Sequence, residues 1–214
     1  MRLDHVSYVA SHDQVSDVVN RIGSQIGTAF VDGGIHPKFG TRNFTAPLLN
    51  GQYIEIVCPL DHPATDATPF GQAVKKKAVA GGGWLTWVFS SNDLAKVEEK
   101  FGRKAADGYR TKPDGSELKW KQIGVKEITS AGELPFFIQW LTESHPSKDG
   151  NSVAKISKIV IADDEQLANS WFKYEIKSGL IDVEIEWVKP ELNDGDKGIV
   201  AVELLVNNKK IRVD

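Results

Sequence analysis

The sequence predicts an α+β protein assembled from repeated βαβββ modules. Three observations carry that prediction. Short apolar runs of strand character alternate with amphipathic helical stretches, and polar pairs spaced like capping boxes open the helices. The strand-then-helix start also recurs at Leu3, Trp84 and Ala154, which is how a module used more than once shows itself.

In the first module LDHVSYVA (Leu3 to Ala10) reads as a strand, and Ser11 with Gln14 has capping-box spacing. Val15, Val18, Val19, Ile22 and Ile26 recur at intervals of three and four, so they share one helical face that ends at Gly27. A short strand near Thr28 to Val31, a loop from Asp32 to Gly40 and a strand near Arg42 to Leu48 follow. Asn50-Gly51, which tolerates positive φ at both positions, predicts a hairpin into the strand Gln52 to Cys58. A helix over 69–80 links to the second module. There Trp84 to Phe89 is a strand, Ser90 and Asp93 repeat the cap spacing, and Leu94, Val97 and Phe101 mark a helix closed by Gly102. Leu118 to Val125 and Phe136 to Leu141 are strands, and the stretch from Arg103 to Gly115 carries no clear pattern. The third copy is KISKIVIA, a cap at Asp163 and Gln166, a helix with Leu167, Trp171 and Phe172, and strands at Ile181 to Val188, Ile199 to Val206 and Lys210 to Val213.

The composition narrows the function classes. A chain of 214 residues is long enough to bury a core unaided, and its single cysteine, Cys58, leaves no internal disulfide. The formal net charge is -3 with both signs interspersed, so no basic stripe is present to neutralise phosphates and nucleic acid is not an expected partner. No apolar run approaches membrane-spanning length, and the first residues enter a strand rather than a signal-peptide pattern. The expected setting is cytoplasmic, without a membrane partner.

The run LDHVSYVA, a helix, then HPKFGTRNFTAPLLNGQYIEIVCP resembles the first module of glyoxalase-like domains in the vicinal oxygen chelate superfamily, a bacterial branch of it in particular. The resemblance implies a pair of modules, 1–60 and 82–141 joined by the 69–80 helix, forming cupped mixed β-sheets with helices packed outside, and a diverged third module over 153–214. It also implies a small-molecule ligand in the cup. A divalent metal such as zinc, iron, manganese, nickel or magnesium would be held by side chains from the first and last strands of each module. Such a site serves lyase, isomerase or dioxygenase chemistry by stabilising charge on neighbouring substrate oxygens. A homodimer that builds the cup between subunits is an assembly compatible with it.

On that pattern His5 and Glu55 are the candidate ligands of module one. Superposing YIEIV on FIQWL makes Gln139 the third, although its amide has no charge and cannot serve as a base. Glu55 and His36 are the candidate catalytic groups, while Arg42, Asn43, Gln139 and Trp87 are candidate substrate contacts. His36, Arg42 and Asn43 lie in a stretch punctuated by Pro37 and Gly40, where functional groups gather at a rim. Two ligand-binding readings stand beside a third, an interaction or scaffold protein whose modules simply pack and oligomerise. In one this is an enzyme with an incomplete ligand set in its second module. In the other it is a metal-free protein that binds or sequesters a small molecule against Trp87, Trp120 and Trp140, and the same polar residues orient the ligand.

Overall fold

The computed structural model describes residues 1–129, 134–163 and 180–214. The first module comprises β1 (Arg2–Val9), α1 (Val15–Ile26), β2 (Val31–His36), β3 (Thr41–Pro47) and β4 (Tyr53–Pro59). Two short helices follow, α2 (Pro63–Ala67) and α3 (Pro69–Val79). The second module repeats the order with β5 (Gly83–Ser90), α4 (Ala95–Phe101), β6 (Ala106–Thr111), β7 (Glu117–Ile123) and β8 (Phe136–Trp140). Beyond it lie β9 (Ala154–Ala162), β10 (Glu184–Val188), β11 (Gly198–Val206) and β12 (Lys209–Val213). The expected third-module helix with Gln166, Leu167, Trp171 and Phe172 lies outside the described residues.

The two modules close into one eight-stranded barrel in the order β1-β4-β3-β2-β6-β7-β8-β5. In each half the first strand runs parallel to the last, β1 with β4 and β5 with β8. The halves meet where β1 pairs antiparallel with β5 and where Ile35 of β2 meets Thr111 of β6. The remaining four strands form a separate sheet ordered β10-β9-β11-β12, whose first strand is internal. That order differs from the first-last-third-second order within each half of the barrel.

Strand parity sorts the side chains into two cores. Outward residues such as Val6, Ile54, Ile56, Trp87 and Phe89 pack with Ile22 and Ile26 of α1, Val97 of α4 and Ile156, Ile159 and Leu204 of the second sheet. Val9, Val57, Val88 and Leu118 form an inner cluster with Phe70, Ala73 and Val74 of α3. The linker helix therefore seals the barrel interior, while α1 and α4 pack outside.

Local details explain where element boundaries moved. Ser11 donates to the Gln14 side chain at 3.0 Å instead of capping the backbone, so α1 begins only at Val15. Gly27 and Gly102 end their helices in the left-handed region as expected. Asn50 and Gly51 both have positive φ, 62° and 69°, as the hairpin requires. The expected loop from Asp32 is instead strand as far as His36. A bulge between Asp32 and Gly34 keeps β2 paired with β3 through the two glycines. The unpatterned stretch after Arg103 contains β6, paired to β7 from Ala106 to Thr111.

Candidate functional site

One pocket opens inside the barrel. His5, His36, Asn43, Tyr53 and Glu55 line it from the first module; Arg110, Trp120, Gln122, Phe136, Ile138 and Trp140 line it from the second, with Phe39 and Phe70 at the sealed end. Its cavity volume is about 40 Å³, roughly three water-sized positions. The polar groups thus face an aromatic wall across a narrow space.

Glu55 is buried, and its ionised form is well supported. Ser7, its register neighbour on β1, donates to Oε2 at 2.6 Å, and Asn43 Nδ2 donates to Oε1 at 2.6 Å. Burial alone would raise the carboxyl. The nearby imidazoles of His5 and His36 and the two hydrogen bonds outweigh it, leaving Glu55 below its ordinary value.

His5 is held by Asp4. A bulge in the β1–β5 pairing between Leu3 and His5 leaves Asp4 without a partner on β5. Asp4 is fully buried. Its Oδ2 accepts from His5 Nδ1 at 3.0 Å and from Trp140 Nε1 at 3.3 Å, while Oδ1 accepts from His145 Nε2 at 3.2 Å and is ion-paired with Arg2 at 3.0 Å. Burial pushes this carboxyl up, but the hydrogen bonds from His145 and His5 more than reverse it and hold it well below the usual range. His145 Nδ1 accepts the Ser147 backbone N–H at 3.2 Å, which assigns its proton to Nε2, facing Asp4. Asp4 holds the His5 ring through Nδ1, and His5 Nε2 lies 4.0 Å from Glu55 Oε2. Tyr53 stacks on the His5 ring at a centroid distance of 4.3 Å and fixes its plane.

His36 is neutral at physiological pH. Burial, opposed by Glu55 and reinforced by Arg110 and His5, pushes it down to about 4. Its Nδ1 lies 3.0 Å from Thr41 Oγ1, and the Trp120 ring meets it edge-on at 5.7 Å.

Three of the residues expected in the site lie elsewhere. Gln139 sits between the pocket-facing Ile138 and Trp140, so it points out of the barrel and donates to the Asn92 carbonyl at 2.8 Å. Matching YIEIV to FIQWL by pattern slips the register by one residue, and one residue is enough to reverse the face. Trp87 pairs opposite Val6 and is buried in the outer core against Phe89. Arg42 alternates with Asn43 on β3, faces away from the pocket, pairs with Asp32 and lies over Phe44. His5, Glu55, His36 and Asn43 are brought together.

Arg110, Asp4, Ser7 and His145 were not anticipated. Arg110 is only 2% exposed and donates from Nη1 to Asn43 Oδ1 at 2.7 Å, so Asn43 bridges it to Glu55. The signal for it was the pair of glycines on β2: a Cβ at Gly33 would come within 2.1 Å of Arg110 Nη1 and 2.2 Å of Asn43 Oδ1. A small residue there is the space the guanidinium needs.

The divalent metal implied by the resemblance does not fit these donors. Among the described residues no group of three or more His, Cys, Asp or Glu side chains is arranged to hold a metal ion. The second half offers Thr86 and Val88 on β5 opposite Ser7 and His5, and Phe136, Ile138 and Trp140 on β8. Both Glu55 oxygens already accept hydrogen bonds, and a permanent cation, Arg110, lines the same small cavity.

Comparisons with known proteins bear on the fold. The chain aligns with a crystal structure of a hypothetical protein from Staphylococcus aureus at 17% identity and a TM-score of 0.57, covering all of this chain and 85% of that one. Methylmalonyl-CoA epimerase from Mycobacterium tuberculosis aligns at 15% identity and a TM-score of 0.43, over 65% of this chain and 86% of that one. The Streptomyces coelicolor epimerase in complex with 2-nitronate-propionyl-CoA aligns at 14% identity and 0.44, over 66% and 99%. No curated protein sequence matches. Among the described residues no helix is long and apolar enough to cross a membrane. The sequence model of the glyoxalase-like domain matches residues 3–174, and the chain therefore belongs to the glyoxalase-like domain family.

Proposed function

We propose that the barrel binds a small oxygenated molecule without a resident metal ion, in a pocket equipped for proton transfer. One observation carries the reading: His5 Nε2, oriented by Asp4, and the ionised Glu55 stand 4.0 Å apart in the same buried cavity. An imidazole and a carboxylate at that spacing can both reach one hydroxyl or one acidic hydrogen of a bound molecule, with Glu55 steadied by Ser7 and Asn43. The aromatic wall of Trp120, Phe136 and Trp140 buries the ligand's carbon atoms and keeps water out, the usual division of labour in a small-molecule site.

Trp120 and Trp140 provide the readout. A screen of small oxygenated compounds by tryptophan fluorescence should give saturable changes in the wild type that weaken in Glu55→Gln. A flat response across compounds small enough for the cavity would remove the binding reading. Elemental analysis of untagged protein and of His5→Ala tests the other half. A stoichiometric divalent metal in the wild type that disappears in the variant would overturn the metal-free part and restore His5 as a ligand.

A further inference from the structure

Arg110 is a buried charged group of the barrel whose protein partners do not account for it. Its guanidinium is 2% exposed, and of its nitrogens only Nη1 has a partner, Asn43 Oδ1. Among the described residues Nε and Nη2 are buried with no hydrogen-bond partner. A guanidinium cannot shed its proton to escape this, and buried donors left unpaired are costly. The backbone nonetheless makes room for the group at Gly33, and Asn43 ties it to the Glu55 cluster.

The pattern of what is unpaired is specific. In a planar guanidinium Nε–H and Nη2–H lie on one edge and point the same way, the spacing that two carboxylate oxygens match with parallel hydrogen bonds. Asn43 occupies the other side and leaves that edge whole. We propose that the Nε–Nη2 edge of Arg110 is a carboxylate subsite, and that the pocket's ligand is a short carboxylic acid. Its head sits on Arg110 and its remaining atoms extend along the aromatic wall toward His5 and Glu55. The small cavity, about 40 Å³, restricts the acid to few atoms beyond the head. A tetrahedral phosphate fits less well, because its extra oxygens and second charge would be turned toward Glu55. The inference rests on the reading that this pocket binds a small molecule, and it adds the ligand's charge and the residue that selects it.

The test compares acetate, glycolate and pyruvate with acetamide, a neutral mimic of acetate, and with inorganic phosphate. Calorimetric titration and thermal midpoints are measured at matched ionic strength, since a ligand selective for the folded state raises the midpoint. At least one of the three acids should bind the wild type, and acetamide and phosphate should not. Arg110→Lys keeps a charge but loses the fork, so affinity should fall by about tenfold or more, and Arg110→Gln should abolish binding. If Arg110→Gln does not fold, the contrast between acetate and acetamide on wild-type protein still decides. Equal binding of acetamide and acetate, tighter binding of phosphate than of every acid, or an unchanged affinity in Arg110→Lys would overturn the subsite while leaving a small-molecule pocket in place. Acid binding that persists in Ile138→Trp, which fills the cavity, would place the site elsewhere and overturn both readings, whereas no binding by any of the three acids would overturn the subsite alone.

Discussion

Acidification should destabilise this protein through one buried imidazole before its pocket carboxylates respond. His36 has an ordinary value of 6.5 and is pushed down to about 4 in the folded chain, chiefly by burial. The folded state therefore refuses a proton that the unfolded state accepts, and stability is lost as pH falls from about 6.5 to about 4, then levels off. Each unit of pKa separation corresponds to roughly 1.4 kcal/mol, so the separation here caps the loss at about 3 kcal/mol, of which about 2 kcal/mol falls between pH 7 and pH 4.5. Glu55 and Asp4 act in a lower window. Both are depressed from 4.5 and 3.8, so the stability they contribute is lost only as pH drops below those values. Urea unfolding of the wild type and of His36→Gln at pH 7, 6, 5 and 4.5 isolates the term. The wild type should lose about 2 kcal/mol more than the variant across that range. Parallel pH curves for the two proteins would show that His36 takes a proton in the fold as readily as in the unfolded chain, and the account of a dry, neutral imidazole would fail.

Three further substitutions probe the same geometry. Asp4→Asn removes the carboxylate that His5, His145, Trp140 and Arg2 share; it should cost about 3 kcal/mol in urea unfolding, and a loss under about 1 kcal/mol would contradict the role given to that cluster. Gly33→Ala sets a methyl group within 2.1 Å of Arg110 Nη1. It should cost about 1–3 kcal/mol of stability and weaken ligand binding by displacing the guanidinium; unchanged affinity would mean that Arg110 is not a contact. Gln139→Ala, by contrast, loses only a hydrogen bond to Asn92 at the partly exposed outer face, so stability should move by less than about 1 kcal/mol with ligand affinity unchanged, and a clear loss of binding would return Gln139 to the site.

Much of the barrel was legible because period-two and period-3.6 patterns are properties of the chain itself. The helix positions from Val15 to Ile26 and the Asn50-Gly51 hairpin follow from such patterns, whereas the pairing of His5 with Glu55 came from the family resemblance. What failed was parity wherever a bulge or an alignment choice intervened. Asp4 joined the site only because the register shifts beside it, and Gln139 left it because a pattern match cannot fix which of two adjacent residues faces inward. Arg110 was missed for a different reason. Its strand, ADGYRT, is short and polar, with Gly108 under Trp120, and nothing in its local sequence reports that the space for its side chain is made on β2. That information is tertiary, carried by glycines in one module on behalf of an arginine in the other.

The two halves of the barrel share strand order but divide the chemistry between them. The first contributes His5, Ser7, Asn43, Glu55 and His36; the second contributes aromatic and aliphatic surface, Gln122 and the cation Arg110. A ligand between them would then be gripped by charge from the second half and met by the Glu55 carboxylate and the His5 imidazole from the first, with Asn43 bridging Arg110 to Glu55. The residues that steady this arrangement lie outside the cup, since Arg2 and His145 hold Asp4, and Asp4 holds His5. His145 follows the last barrel strand in sequence yet shares, through Asp4, in holding an imidazole on the first. Ligand geometry in this protein should accordingly respond to the segment after β8, beyond the range that its place in the sequence suggests.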